Sequence, residues 1–144
     1  MLNRNIYEFY EKIEISKGSK ANIKKGDLVI AQNGVIGVIE KVKENSSEVL
    51  LLTNSKINLS VKINNAYGIL TSKDHQILVK NIKLTEEIKE GNTVTTSGLT
   101  DIPGGILIGK VKQVKKDKLE LEYILEIDVN VNFKEIKFVG VVTS

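Results

Sequence analysis

Few side chains in this chain of 144 residues could support catalysis. It contains one histidine, His75, and no cysteine, so disulfides, thiolate metal sites and a cysteine nucleophile are excluded. His75 lies in the polar stretch Lys73–Gln76, with no partners at the spacing of a zinc site or a catalytic triad. Ser97 lacks the Gly-x-Ser-x-Gly turn and has no evident base. We therefore predict no catalytic residue, no metal and no cofactor.

Two glycine-rich segments, Gly34–Gly37 and Gly104–Gly109, have some likeness to phosphate-binding loops. Neither has the Walker spacing with its terminal Lys-Ser/Thr pair, and neither opens a helix whose amides could bind a phosphate. We interpret both as glycines required by the geometry of a β-sheet.

The charge distribution makes nucleic-acid binding the runner-up hypothesis. The net charge is +3, from 21 basic and 18 acidic residues. Lys25-Gly26-Asp27, followed by Asn33-Gly34, resembles the SH3-like KOW element of ribosomal and transcription proteins. The basic residues that could contact phosphates are Lys17, Lys20, Lys24 and Lys25, and Lys110, Lys112, Lys115, Lys116 and Lys118. However, Arg4 is the only arginine, tryptophan is absent and acidic residues are interleaved, so we expect no nucleic-acid partner.

The element pattern predicts an all-β protein. The apolar residues are mainly Ile, Val and Leu, which favour strands, and the chain has one proline. Gly, Asn and Asp separate the apolar runs and mark reversals, with Asn33-Gly34 as a two-residue hairpin signal. The predicted strands are Ile13–Ile15, Leu28–Ala31, Val35–Val42, Glu48–Thr53, Asn58–Val61, Tyr67–Leu70, Gln76–Val79, Thr93–Thr96, Ile106–Val114, Lys118–Leu125 and Phe138–Val142.

The N-terminal segment Asn3–Lys12 is compatible with two structures. Ile6, Phe9, Tyr10 and Ile13 have helix-compatible spacing, but the aromatic residues suit a strand nearly as well. The sequence therefore predicts either a short N-terminal helix or a strand that leads into the first domain.

An internal similarity indicates two related units. The segment Ile23–Val29 returns as Ile88–Val94, and Gly37–Val42 matches Gly109–Val114. A strand, a Gly-containing turn and a second strand with an early glycine are what a small curled barrel needs, whether by duplication or by convergence. We predict two small tandem β-barrels of SH3-like or Greek-key type, over residues 1–72 and 73–144, with the last strand in either barrel.

The apolar stretches of the sequence are too short to span a membrane. The longest apolar stretches, such as Val49–Leu52, are far shorter than the roughly 20 residues that cross a bilayer. No basic start with an apolar signal core is present, so the residues alone predict a cytoplasmic chain unless it is a fragment.

Several segments together resemble the MreC family of rod-shape-determining proteins. They are Ile13–Ser19, Ile23–Ile30, Asn33–Val42, Ser47–Asn54 and Tyr67–Leu70, the last closing the first barrel, and then Ile88–Leu99 and Ile102–Val111. The order and spacing of the last two are the most specific part of the resemblance.

The resemblance implies a non-catalytic cell-shape scaffold that organises peptidoglycan elongation. Family members carry two β-lobes outside the cytoplasmic membrane, behind a coiled coil and a membrane-spanning helix. They form dimers or higher assemblies, and they contact MreD, a class B penicillin-binding transpeptidase and, indirectly, MreB. We find neither a membrane helix nor a sustained heptad run in this chain, so an extracytoplasmic, membrane-tethered location rests on the resemblance alone.

The scaffold hypothesis places partner binding on the loop from Leu99 to Ile106. A tip formed by Leu99 and Ile102 would lose little entropy on docking, because Pro103 limits its freedom beforehand. The alternative is that these side chains plug the end of the barrel. The predicted partner-binding residues are Thr96, Ser97, Leu99, Ile102, Pro103 and Ile106.

Overall fold

A computed structural model describes residues 6–7, 12–32, 34–129, 131 and 139–142. A short 3₁₀ helix spans Ser19–Ala21. No helix among these residues has the length and hydrophobicity required to cross a bilayer. The strands are β1 (Ile6–Tyr7), β2 (Lys12–Ile15), β3 (Leu28–Ala31), β4 (Gly34–Val42), β5 (Ser47–Leu51), β6 (Leu59–Ile63), β7 (Ala66–Lys73), β8 (Gln76–Lys83), β9 (Thr93–Thr96), β10 (Leu107–Lys116), β11 (Glu122–Val129) and β12 (Gly140–Val142).

The strands form two antiparallel sheets, which confirms the all-β prediction. The first is an open sheet in the order β1-β2-β5-β4-β3-β12, and the second is a closed barrel in the order β10-β11-β8-β7-β6-β9. Closure leaves the barrel without a free edge, whereas the open sheet ends at β1 and β12. The described strands therefore form one barrel and one open sheet rather than two closed barrels.

The chain passes from the open sheet to the barrel between β5 and β6, ahead of the strand that contains Tyr67. Strand β7 pairs with β6 and β8, and β6 pairs with β9, so Tyr67–Leu70 belongs to the closed barrel. Its placement in the first lobe is wrong, because strand pairing, which decides membership, is not visible in local alternation. Of the predicted last strand, Phe138–Val142, Phe138 lies outside the described residues, and Gly140–Val142 belongs to the open sheet, where Val141 pairs with Val29.

Two predictions at the N-terminal half fall partly outside the described residues. Ile6–Tyr7 pairs with β2, so these residues form a strand and not a helix, while residues 3–5 and 8–11 are not described. Ala31 pairs with Gly34, which places the reversal between them and Gly34 already in β4. Asn33 itself lies outside the described residues.

The first copy of the internal repeat is a hydrogen-bonded turn ahead of β3. The Asp27 carboxylate accepts a hydrogen bond from the Lys24 amide at 2.9 Å. The Gly26 amide donates to the Ile39 carbonyl at 2.8 Å, and the Ile39 amide donates to the Asp27 carbonyl at 2.9 Å. Gly26 has a φ of +91°, which favours glycine.

The second copy repeats these contacts ahead of β9. The Asn92 side-chain oxygen accepts from the Lys89 amide at 2.7 Å. The Gly91 amide donates to the Val111 carbonyl at 2.7 Å, the Val111 amide donates to the Asn92 carbonyl at 2.9 Å, and the φ of Gly91 is +87°. The sequence similarity therefore corresponds to the same turn built twice.

Gly37 in β4 and Gly109 in β10 correspond in the internal repeat and have the same steric role. A Cβ atom on Gly37 would overlap with the Leu50 carbonyl oxygen, and one on Gly109 would overlap with the Asp128 carbonyl oxygen. Since both neighbours are backbone atoms of an adjacent strand, neither can move aside. Glycine is required at both positions for the strands to approach.

Two hydrophobic clusters support the fold. The larger fills the barrel and extends onto one face of the open sheet, where it includes Leu28, Val35 and Leu50. The smaller covers the other face of the open sheet around Ile15, Ile36 and other residues. Because the larger cluster is continuous between the sheets, burial of the same side chains stabilises both.

Candidate functional site

The loop between β9 and β10, residues 97–106, is closed at its base by Thr96. The Thr96 hydroxyl donates to the Pro103 carbonyl at 2.7 Å and accepts from the Ile106 amide at 3.0 Å. The Thr96 amide donates to the Ile106 carbonyl, and the Gly105 amide donates to the Thr96 carbonyl, both at 2.9 Å. Thr96 is 1% exposed. This side chain therefore fixes the loop from inside.

The two arms of the loop touch at their glycines. The Ser97 hydroxyl donates to the Ser60 hydroxyl at 2.8 Å and accepts from the Leu99 amide at 3.1 Å. A Cβ atom on Gly104 would lie 3.0 Å from the Gly98 Cα, so the arms could not approach as closely with larger residues. The loop conformation is thus set before any partner binds.

The apolar side chains of the loop divide into two groups. Ile102 and Ile106 are partly buried and pack against the cluster that fills the barrel. Leu99 is 64% exposed, and Pro103 is also exposed. The packing of Ile102 and Ile106 matches the plug interpretation, while Leu99 is available to another molecule. A partner-binding role for the predicted residues stays a prediction.

A groove of about 750 Å³ runs between the open sheet and the barrel beside this loop. Its polar lining includes the exposed Lys24 and Lys25 and the buried Asp27 of the turn before β3, and Thr100 and Asp101 of the loop. The apolar part of the lining consists of Val38, Leu59, Ile69, Ile102 and Val142. The arrangement suits a segment with an apolar side chain next to an acidic group, which the two lysines would attract.

Sequence reasoning missed this groove because its walls come from distant parts of the chain. Strand β12 reaches it only by pairing with β3, and β7 reaches it only as part of the barrel. The repeated turn is the sequence feature that points toward it, because the Asp27 side chain holds the Lys24–Asp27 turn, which lines the groove.

A polar pocket of about 500 Å³ lies on the other side of the loop. Its lining includes Lys62, Thr95 and the backbone at Gly104 and Gly105. The Lys62 amino group lies 5.6 Å from the centre of the Tyr67 ring, within the range of a cation–π contact. The loop therefore separates a groove with an apolar lining from a polar surface.

An ion-pair cluster lies on the open sheet. Lys12 Nζ is 3.1 Å from Glu48 Oε1 and 3.3 Å from Glu40 Oε2. The hydrogen bond to Glu48, reinforced by Glu40, raises the pKa of Lys12 above its ordinary value. One cation is thus shared between two carboxylates on neighbouring strands.

The residues considered for catalysis have structural positions. His75 lies in the turn between β7 and β8, where both Asp74 and His75 have positive φ values. Ser97 contacts Ser60 rather than a base. Within the described ranges, no three His, Asp or Glu side chains are grouped as they would be around a metal.

The basic residues considered for nucleic-acid binding are partly paired. Lys20 Nζ is 2.9 Å from Glu44 Oε1, and Lys112 Nζ is 3.7 Å from Glu126 Oε1. Each acidic partner reduces the positive potential that a phosphate would meet.

Comparison with known proteins shows a family likeness over the whole chain. The family model described as "Rod shape-determining protein MreC, barrel core" matches residues 1–143. The cell shape-determining protein MreC of Listeria monocytogenes is 30% identical over 150 residues, which cover 98% of this chain and 51% of that protein. The chain spans about half the length of the curated relatives it matches.

Solved structures share the fold. MreC from Listeria has a TM-score of 0.90 at 30% identity, covering 96% of this chain and 70% of that one. A structure described as the major periplasmic domain of the cell shape-determining filament MreC has a TM-score of 0.80 at 25% identity, with 96% and 90% coverage. MreC in a complex with penicillin-binding protein PBP2 from Helicobacter pylori has a TM-score of 0.79 at 18% identity, with 97% and 92% coverage, which shows the fold alone.

Proposed function

This chain belongs to the MreC family, and from that premise we propose that it is a non-catalytic, extracytoplasmic scaffold domain that binds wall-synthesis proteins through the β9–β10 loop and the adjacent groove. In the full-length protein a tether would hold it at the cytoplasmic membrane. Its partners would be a class B penicillin-binding transpeptidase, MreD, a second copy of itself and, indirectly, MreB.

The descriptions of related structures support this location and, among the proposed partners, the transpeptidase and a second copy of the chain. One relative is described as a periplasmic domain of a filament, and another was solved in a complex with PBP2. Since the first has the same two-sheet fold at 25% identity, a surface of this fold that can associate with other chains is expected here.

The single observation that carries the proposal is the exposed Leu99 on a loop whose conformation is already fixed. Thr96 and Ser97 hold the loop through hydrogen bonds, so little conformational entropy is lost when Leu99 contacts a partner. Burial of an exposed leucine contributes about 1.5 to 3 kcal/mol. Leu99 can therefore act as an anchor residue beside the groove.

The lining of the groove favours a partner segment of a particular chemistry next to Leu99. Its apolar lining accepts an aliphatic or aromatic side chain, and Lys24 and Lys25 favour an acidic group close to it. Asp27 and Asp101 also line the groove and disfavour a second carboxylate beside them.

The test is a titration of the chain with the soluble extracytoplasmic part of a class B transpeptidase from the same organism. We expect Leu99→Asp to weaken binding at least about tenfold, because about 1.4 kcal/mol corresponds to a factor of ten. Lys24→Glu with Lys25→Glu should also weaken it. The matched control is Leu119→Asp, which changes a leucine of similar exposure on another loop. Equal affinities for the Leu99 and Leu119 variants would contradict the proposed surface.

The nucleic-acid alternative has its own test. The chain is titrated with RNA and with duplex DNA at increasing salt. A scaffold domain should show no binding that persists at about 0.15 M ionic strength. Binding that persists there and falls steeply with added salt would overturn the scaffold function.

A further inference from the structure

The hairpin of β10 and β11 ends in a tip, residues 117–121, that carries two exposed leucines. Leu119 is 75% exposed and Leu121 66%, the largest values among the large hydrophobic side chains in the described part of the chain. The alternating sequence Lys118–Leu125 predicts a strand, but β11 begins only at Glu122. Both leucines therefore lie in the turn, where the barrel wall does not cover them.

The tip is held in shape by its own hydrogen bonds. The Asp117 carboxylate accepts from the amides of Leu121 at 2.8 Å and Glu122 at 3.3 Å. The Asp117 amide donates to the Glu122 carbonyl, and the Glu120 amide donates to the Asp117 carbonyl, both at 3.0 Å. The leucines are thus presented on a fixed turn.

Exposed lysines surround the two leucines. Lys115, Lys116 and Lys118 are all exposed. Of the acidic residues, Asp117 is bound to backbone amides, and Glu122 lies opposite Lys83 on β8. Glu120 remains as an exposed acidic side chain. Together with Lys83, these residues carry four lysines and three carboxylates, so the surface of the tip combines two exposed leucines with a net charge of +1.

We propose that the 117–121 tip inserts into the surface of an anionic lipid bilayer. Leu119 and Leu121 enter the boundary between headgroups and acyl chains, while Lys115, Lys116 and Lys118 contact lipid phosphates. A lipid surface suits this tip because it accepts a convex apolar turn without a preformed pocket. The lysine side chains can lie along the leucines with their amino groups at the phosphates.

The position of the tip determines how the lipid contact would orient the domain relative to the bilayer. β10 has 10 residues, with the β9–β10 loop before it and the tip after it. At about 3.3 Å per residue the two lie about 30 Å apart along the strand. Lipid contact at the tip would leave Leu99 and the groove turned away from the bilayer. This consequence rests on the proposed function, whereas lipid binding itself does not.

The first experiment uses a fluorescent reporter. Because the chain contains no tryptophan, Leu119→Trp and Leu99→Trp each carry a single indole, the second as a matched control. With vesicles of phosphatidylcholine and phosphatidylglycerol, we expect a blue shift of emission, and quenching by brominated acyl chains, for the Leu119 variant alone. Equal responses from both variants, or a response from neither, would overturn the proposal.

The second experiment measures sedimentation of the chain with the same vesicles. We expect Leu119→Ser with Leu121→Ser to lower binding at least about tenfold, and Lys115→Glu with Lys116→Glu to do the same. Lys56→Glu, at another exposed lysine, should bind as the unchanged chain does. Undiminished binding of the serine variant, or no sedimentation of the unchanged chain, would show that the tip is not a lipid contact.

The serine variant also separates this proposal from the scaffold function. It should bind the transpeptidase with unchanged affinity, because Leu99 and the groove are intact. If it loses transpeptidase binding or self-association while vesicle binding is unchanged, the tip is a protein interface and the lipid proposal is wrong.

Discussion

Replacing Thr96 by valine removes the hydroxyl that closes the β9–β10 loop and keeps the shape of the side chain. The hydroxyl makes two hydrogen bonds, to the Pro103 carbonyl at 2.7 Å and from the Ile106 amide at 3.0 Å. Each contributes about 1 kcal/mol net, so we expect a loss of about 2 kcal/mol in the free energy of unfolding. For a domain of this size roughly 4 °C corresponds to each kcal/mol, which gives a fall in Tm of about 8 °C.

The assay pairs thermal melting with hydrogen exchange, and Thr95→Val is the control. Thr95 is the preceding strand residue, partly buried and paired with Lys62 and Leu107. Its replacement by valine should leave Tm within about 1 °C, because valine suits a strand. In the Thr96 variant the Ile106 amide should exchange up to about thirtyfold faster, the equivalent of about 2 kcal/mol. Equal Tm values for the two variants, with unchanged exchange at Ile106, would show that the Thr96 hydroxyl does not hold the loop closed.

Two further predictions concern the sheets. In urea denaturation, Gly109→Ala should lower the free energy of unfolding by more than about 3 kcal/mol, because its Cβ meets backbone atoms. Gly91→Ala has open space around it and should lower the free energy of unfolding by about 1 kcal/mol, because of its positive φ. Similar losses for the two variants would contradict the steric role of Gly109. Lys12→Met should lower Tm at neutral pH, since Glu40 and Glu48 lose their shared cation. Because the pKa of Lys12 is raised, this stabilisation is present below that pKa and is lost as pH rises through it. The difference in Tm between the unchanged chain and the Lys12→Met variant should therefore shrink in alkali. A difference that stays constant with pH would count against the ion pair.

The elements that depend on local chemistry could be predicted from the sequence. Gly26 and Gly91 mark turns with the same hydrogen bonds, and the matched residues around Gly37 and Gly109 form strands in both sheets. These features follow from backbone geometry at single residues, which an amino-acid type reveals directly.

Features that depend on long-range pairing could not be predicted. Nothing local to Tyr67 indicates that β7 closes the barrel instead of completing the first lobe. The alternation through Leu119 and Leu121 has the period of a strand although the chain is still in the turn.

The candidate loop is local in sequence, whereas the groove beside it is not. The loop residues are adjacent in sequence, so the pattern around Pro103 located them, but burial divides them into Thr96 and Ile106 on the inside and Leu99 on the outside. The groove beside them is lined by residues of β12, β7 and the Lys24–Asp27 turn, which only the folded chain brings together.

Hydrogen exchange of the chain with and without the transpeptidase shows whether this domain binds wall-synthesis partners through the loop and groove. We expect slower exchange in residues 97–106 and 24–27 on complex formation, and unchanged exchange at the tip, residues 117–121. Slower exchange confined to other surfaces, or none in a mixture where the complex has formed, would contradict this mode of binding.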